Sequence, residues 1–229
     1  MKAIQLPLLA AILGLSSVAQ ADFIGLKGDI SYWNVDGTAN INEKYQADQD
    51  IERDGTVQVS VAFEHPVPII PNIKAKYTKL DFATEADQLG LAKTDINLDH
   101  TDLILYYEIL DNVVKADIGI GATRLSGDVK QFGQNVSIDE YSPIIYAEAG
   151  VKLPFTGLSA KAEATYTNLN DVKITDAQAE IQYDFVKSLL VDVGAKVGYR
   201  VLNIELSDMD KRDMKLDFKG PYIGLNAHF

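Results

Sequence analysis

The chain has 229 residues, with 21 basic and 33 acidic side chains, a formal net charge of −12 and no cysteine. The acidic excess argues against nucleic acid as a partner. The lack of cysteine excludes disulfide bonds and thiol chemistry.

The first 21 residues have the pattern of a secretory signal peptide. Lys2 supplies a positive charge, an apolar run extends from Ile4 to Leu15, and Ala19-Gln20-Ala21 gives a small-x-small cleavage site. The apolar run is shorter than the ~20 residues that a membrane-spanning helix needs. We therefore expect one mature domain over residues 22–229, in which any membrane span must consist of strands.

The mature sequence alternates apolar and polar residues in segments of about ten residues separated by turn residues, which is the period of β-strands. A long polar loop is expected at 34–54, and the three prolines of 65–71 predict a rigid turn. The ten predicted strands are 22–33, 55–64, 72–82, 95–109, 113–125, 137–153, 158–168, 171–185, a ninth after a turn at 186–188, and a tenth after a charged turn at 207–213.

The alternation of apolar and polar residues changes phase at two places. In the third strand it breaks after Lys79, and in the tenth it changes near Gly220-Pro221. An extra residue in one strand would shift the phase in this way, so we expect a β-bulge at Gly220-Pro221.

An even strand count, with short turns alternating with mostly longer loops, predicts an all-β antiparallel transmembrane β-barrel of about ten strands. Closure pairs every backbone group inside the lipid. The alternative is eight strands, with one hairpin outside the barrel. A soluble barrel would turn its apolar face inward, but aromatic residues near the strand ends resemble the interfacial girdles of membrane proteins. They are Tyr32, Trp33, Tyr166 and Tyr199 at one rim, and Phe155, Phe185 and Phe229 at the other.

The last ten residues resemble the C-terminal sorting signal of bacterial outer-membrane β-barrels, because alternating apolar residues lead to a terminal aromatic. The apolar positions are Ile223, Leu225, Ala227 and Phe229. The resemblance implies a location in the cell outer membrane, with outer-membrane lipid, lipopolysaccharide and the barrel insertion machinery as partners. The segment 64–72 also resembles a turn in a family of small, uncharacterised proteobacterial outer-membrane barrels, which supplies no catalytic or binding residues.

If the apolar faces meet lipid, eight basic and eleven acidic side chains face the lumen. The bases are Lys27, Lys74, Lys76, Lys115, Lys152, Lys161, Lys196 and Arg200, and the acids are Asp29, Glu64, Asp102, Glu108, Asp117, Glu148, Glu163, Asp176, Glu180, Asp184 and Asp192. A charge-paired, filled lumen predicts a structural or surface-interaction role. A water-filled lumen predicts a narrow porin-like channel with a mild cation preference. Narrow barrels are usually filled by their own side chains, which favours the first.

One acidic pattern in the loop 34–54 is a candidate Ca²⁺ site. Its carboxylates are Asp48, Asp50, Glu52 and Asp54. An EF-hand loop requires Gly at the sixth position and Glu at the twelfth, where this segment has Arg53 and Val59. A solvated acidic loop is the favoured interpretation, so we predict neither a metal nor another cofactor.

Enzymatic activity is a further alternative, because ten strands is also the count of the omptin proteases, which pair acids with a histidine at the outer rim. His65 and His228 are expected at the periplasmic end. His100, expected at the rim near Asp99 and Asp102, lacks a second pair of acids. We therefore predict that the protein is not an enzyme.

Overall fold

The computed structural model describes residues 25–41, 48–67, 69–85, 93–131, 133–169, 171–188, 191–209 and 212–229. The expected signal peptide, 1–21, lies outside the described residues. Within them, no helix is long and apolar enough to cross a membrane.

Ten antiparallel strands form one closed barrel, in which each strand pairs with its sequence neighbours and β1 pairs with β10. This confirms the predicted all-β barrel of ten strands and excludes the eight-strand alternative. The strands are β1 Gly25–Ile41, β2 Gln49–Glu64, β3 Asn72–Ala83, β4 Thr94–Asp111, β5 Val114–Gln131, β6 Gln134–Lys152, β7 Leu158–Leu169, β8 Val172–Lys187, β9 Asp192–Met209 and β10 Arg212–His228.

The two ends of the barrel can be named from the chain order. Gly25 and Phe229 lie at one end, and we call the half of the barrel next to them the terminal half. Ile41, Gln49, Ala83 and Thr94, which end or begin β1 to β4, lie at the other end, next to what we call the loop half. Phe229 closes the seam with β1, because its N–H donates to Leu26 O (2.9 Å) and its carbonyl accepts from Leu26 N (3.2 Å).

Most strands are longer than a bilayer requires. β1 has 17 residues and β6 has 19, whereas ~9–11 residues of a tilted strand cross a membrane. The predicted loop 34–54 is therefore wrong in extent, since residues 34–41 belong to β1 and 49–54 to β2. Their polar composition reflects contact with water beyond the bilayer, which a strand tolerates on its outer face.

The outer surface changes from apolar to polar along the barrel. In the terminal half the outward side chains are apolar, among them Leu26, Ile30, Val59, Val61, Leu103, Leu105, Ile118, Ile120, Ile145, Ile181, Val197, Ile223 and Leu225. In the loop half they are polar or charged, among them Asp36, Glu52, Lys79, Asp81, Asp95, Arg124, Asp128, Asp139, Glu205 and Lys219. Exposed tyrosines mark the boundary, namely Tyr32, Tyr77, Tyr141, Tyr166 and Tyr199.

The interior changes in the opposite sense. Charged side chains fill the terminal half, whereas the loop half encloses an apolar core whose members are at most 5% exposed. We call this set the apolar core: Trp33, Val35, Ala39, Ile41, Ile51, Leu80, Phe82, Ile96, Leu98, Leu125, Val129, Val136, Ile138, Val172, Ile174, Leu202, Ile204, Leu206, Met214, Leu216, Phe218 and Tyr222. Trp33, predicted in the outer girdle, is fully buried here because the alternation of β1 turns it inward.

The β-bulge expected at Gly220-Pro221 is wrong, because β3 and β10 both keep the alternation of inward and outward residues where the apolar series changes from one face to the other. In β3, Leu80 continues the inward series beyond Lys79. The register of β10 with β1 runs without a shift from His228 to Met214, and the irregularity in its pairing with β9 lies at Arg212/Met214. The strand keeps its facing, and only the environment outside it changes from lipid to water.

Candidate functional site

Most charged side chains inside the terminal half form one connected network of ion pairs, and Lys27 and Glu64 form a further pair beside it. Lys74 lies near its centre, where its Nζ is 2.5 Å from Glu163 Oε2 and 3.2 Å from Glu148 Oε2, and it also donates to Tyr146 OH at 3.1 Å. Lys74 is on β3, Glu148 on β6 and Glu163 on β7. These contacts therefore cross the lumen instead of running along one pair of strands.

Arg200 connects the charged network to the apolar core. Its Nε and Nη2 donate to both oxygens of Asp176 at 2.8 and 3.0 Å, and its Nη1 donates to Gln58 and Thr78 at 2.7 and 2.8 Å. The guanidinium carbon lies 4.7 Å from the ring centre of Trp33, a cation–π contact. Asp176 lies on the adjacent strand β8, whereas Gln58 on β2 and Thr78 on β3 lie across the lumen, so this side chain spans the passage at the junction of the two halves.

A second branch runs toward the terminal end of β9. Lys196 Nζ is 2.7 Å from Asp29 and 3.4 Å from Glu180. Glu180 also lies 3.2 Å from Lys161 and accepts a hydrogen bond from Tyr222 OH at 2.6 Å. Each of these two acids thus faces at least one lysine.

A third group of charged side chains lies against the inner face of β4 and β5. Lys115 Nζ is 3.0 Å from both Asp117 and Glu148. Glu64 pairs with Lys27 and accepts a hydrogen bond from Tyr106 OH at 2.7 Å. Removing one partner from such a buried pair typically costs ~3–5 kcal/mol, because a charge is left without compensation.

An open space inside the barrel lies at the terminal mouth. A cavity of about 290 Å³ opens there, with Lys115, Lys161, Asp184 and Asp192 among its lining residues. The next space inward in the described part of the chain is a gap of about 20 Å³ beside Lys76. Beyond this gap, in the loop half, the side chains of the apolar core are almost completely shielded from solvent.

The structure places the predicted lumen residues on inward-facing positions at different depths, but the side chain of Lys152, at the end of β6, is 62% exposed and lies 3.8 Å from Asp111. Lys74, Asp117, Glu148, Glu180, Lys196 and Arg200 are buried, and Lys27, Asp29, Lys76, Glu108, Lys115 and Asp192 are half-buried. Alternation alone indicated these positions. It could not indicate which charges meet inside the lumen, because those partners are far apart in the sequence. Lys196 and Asp29, for example, are 167 positions apart.

One group of three side chains in the described residues has the chemistry of metal ligands. His100, Asp102 and Asp176 offer atoms within 4.8 Å of one another. Asp176 already binds Arg200 in a bidentate pair, and Lys76 Nζ lies 3.0 Å from it. These two cations disfavour a divalent ion, so the group is better described as part of the ion-pair network.

The position of His100 differs from the expected rim. It is 2% exposed, lies inside the barrel and has its Nε2 3.0 Å from Thr123 Oγ1. β4 begins at Thr94, close to the predicted start at 95, so residue 100 is the seventh of the strand and its alternation turns it into the barrel below the rim.

The acids of the candidate Ca²⁺ site do not converge in the structure. Asp48 accepts a hydrogen bond from Asn40 at 2.8 Å, and Glu52 lies 2.9 Å from Lys93. Asp54 accepts from the backbone N–H of Gly55 at 2.7 Å. Asp50, Glu52 and Asp54 lie along the exposed start of β2, where extended backbone spreads successive carboxylates apart.

The sequence matches no protein-family model, and no curated protein matches it significantly. Several solved structures resemble the fold. The transport unit of the autotransporter AIDA-I from Escherichia coli has 11% identity and a TM-score of 0.46, with 96% of each chain covered. Ail of Yersinia pestis has 12% identity and a TM-score of 0.40, covering 89% of this chain and 98% of that one. OprG from Pseudomonas aeruginosa has 10% identity and a TM-score of 0.37, covering 90% and 95%.

At such low identity the resemblance transfers no activity or partner. The architecture of this chain is nevertheless explicit in its own geometry, since a closed barrel presents a belt of exposed apolar side chains around its terminal half. A belt of this kind, bounded by tyrosines and combined with a polar interior, is the arrangement of an outer-membrane β-barrel.

Proposed function

We propose that this protein is a closed outer-membrane barrel with a structural or surface-interaction role. The observation that carries the proposal is the apolar core, which fills the loop half, together with Arg200 at its base. A water-filled channel requires a continuous polar path, and these side chains interrupt it. Its partners would be outer-membrane lipid and lipopolysaccharide at the apolar belt. The proposal includes no catalytic role, because the candidate His100 is enclosed in the barrel.

The loop half supports a role in surface interaction. It projects a rigid wall of strands with a charged outer face, and its interior is packed as in a soluble domain. In an outer-membrane barrel whose termini face the periplasm, this wall stands outside the cell. A surface-exposed, rigid and charged wall is suited to binding other molecules.

The alternative is a narrow porin-like channel with a mild cation preference, favoured by the charged cavity at the terminal mouth. Conductance of the refolded protein in planar bilayers separates the two. A closed barrel should give no stable conductance steps. Steps whose size changes when Lys74, Lys76 and Arg200 are neutralised would overturn the proposal and favour the channel.

A further inference from the structure

The connection between β2 and β3, residues 65–71, exposes aliphatic side chains at the terminal end of the barrel. Val67, Ile69 and Ile70 are 46%, 86% and 55% exposed. The segment contains no Asp, Glu, Lys or Arg. By contrast, the connection from β4 to β5 at the same end has the polar pair Asp111-Asn112. Contiguous exposed apolar side chains of this kind indicate a contact surface for something less polar than water.

A hydrogen bond holds this turn against the outer wall. Tyr107 faces outward from β4, and its hydroxyl donates to Ile69 O at 2.9 Å. Because Asn72 pairs with Tyr106, Tyr107 lies one position beyond the start of β3 toward the terminal end. The turn therefore covers the outer face directly beyond β3, next to the apolar belt.

The apolar belt is short on β3. Its outward apolar residues are Ile73, Ala75 and Tyr77, and the charged Lys79 follows. At ~3.4 Å per residue, this series covers only roughly 14 Å along the strand. On β5 the corresponding series extends over 114–122, about twice as far at the same rise. A stretch that is shorter than the hydrocarbon layer must be compensated, and the turn supplies additional apolar surface at this position.

The backbone of the turn is adapted to a poorly hydrated environment. Irregular backbone is normally excluded from lipid, because each polar group without a partner costs several kcal/mol. The three prolines of 65–71 carry no N–H. The N–H of His65 donates to Asn72 Oδ1 at 3.1 Å, and that of Ile70 donates to Val67 O at 3.2 Å. Most donors of the turn are therefore either absent or paired within the protein.

The imidazole of His65 completes this pairing. Its Nδ1 accepts from the N–H of Val67 at 3.2 Å, and its Nε2 lies 3.3 Å from Pro71 O. Because Nδ1 accepts, the ring hydrogen is on Nε2, which donates to the carbonyl of Pro71. Both bonds together require the neutral ring, so the turn in this arrangement carries no charge.

We propose that the turn 65–71 is inserted into the periplasmic leaflet of the outer membrane. Phospholipid acyl chains, near their headgroup ends, contact Val67, Ile69 and Ile70 there. Lipid is the partner because the turn is continuous with the apolar belt through Tyr107 and Ile73. The inference rests on the proposed outer-membrane location. It adds a segment outside the strands to the surface that holds the barrel in the membrane.

The test uses a single fluorophore on the whole barrel in phospholipid vesicles. The chain has no cysteine, so an Ile69→Cys variant carries one nitrobenzoxadiazole label. Phospholipids with a nitroxide near the headgroup end of an acyl chain should quench most of its emission, and iodide on both sides of the membrane should quench little. The label of an Asn112→Cys variant, in the polar connection, should show the reverse. The label of an Ile120→Cys variant marks the belt and should respond to nitroxides placed deeper in the chain.

The three labels separate the possible failures. If iodide quenches the labels at 69 and 112 equally while the label at 120 responds to lipid, the inserted turn is refuted and the outer-membrane barrel stands. If the label at 120 also fails to respond to lipid, the proposed location itself is wrong. A label at 69 that iodide reaches in vesicles but not in native outer membranes would identify a protein partner, which also refutes insertion into lipid.

Discussion

Arg200 and Asp176 form a bidentate pair, with donor–acceptor distances of 2.8 and 3.0 Å, and each side chain is 1% exposed. The pair joins β9 to β8 at the level where the interior changes from charged to apolar. The pair stabilises the barrel only while both of its members are present. A buried charge without its partner is far more costly than an apolar pair of the same shape.

Replacing one member of this pair should therefore destabilise the barrel more than replacing both. We expect Arg200→Met to lower the free energy of unfolding by ~3–5 kcal/mol, and the double variant Arg200→Met, Asp176→Leu to recover much of that loss. Denaturant unfolding in micelles measures both. Removing the exposed pair of Arg124 and Asp139 serves as control and should leave the midpoint nearly unchanged. Strictly additive losses would contradict the account.

The apolar core makes a prediction within a single strand. Leu98 and Leu103 both lie on β4, but Leu98 is fully buried in the loop half and Leu103 is 51% exposed in the belt. Leu98→Ala should cost ~2–5 kcal/mol by leaving a cavity. Leu103→Ala should cost less when unfolding is measured in micelles, since no packed cavity forms. The reverse order would mean that the two halves have been assigned the wrong interiors.

The single tryptophan reports directly on the position of Trp33. Its ring is fully buried, and its indole N–H donates to Gly220 O at 3.0 Å. Emission should resist quenching both by acrylamide in water and by brominated lipids. The Trp33→Phe variant, which has no tryptophan, gives the background emission. Strong quenching by brominated lipid would instead place this residue in the outer girdle that its position near the strand end predicts.

How far the sequence predicts this molecule depends on what surrounds each strand. The alternation of apolar and polar residues, together with the turn residues, is sufficient to predict the ten strands. It also predicts which residues of β5 face inward, including Lys115 and Asp117. The same alternation does not predict the apolar core of the loop half, because apolar residues of a membrane strand are expected to face lipid along its whole length. In β10 the apolar series passes from Ile223 outside to Phe218 inside, and without the length of the wall above the bilayer this change looks like a bulge.

Phe229 should act in assembly more than in stability. Its side chain is 61% exposed, so truncation removes little buried area. We propose that the outward face of β10, with Ile223, Leu225, Ala227 and Phe229, is recognised by the barrel insertion machinery. Phe229→Ala should sharply reduce the amount inserted in cells, while the refolded variant keeps nearly the same thermal midpoint. Equal insertion of variant and wild type at low and high expression would refute this role.

This barrel exchanges its inner and outer polarity along its length, and site-directed spin labelling of β10 measures that exchange position by position. The chain has no cysteine, so single-cysteine variants carry one label each. Accessibility to oxygen, which partitions into lipid, and to a water-soluble nickel chelate is then measured in bilayers. Labels at Ile223 and Leu225 should favour oxygen, a label at Asp217 should favour the chelate, and a label at Leu216 should be shielded from both. A lipid-exposed Asp217, or a Leu216 open to the chelate, would contradict the account.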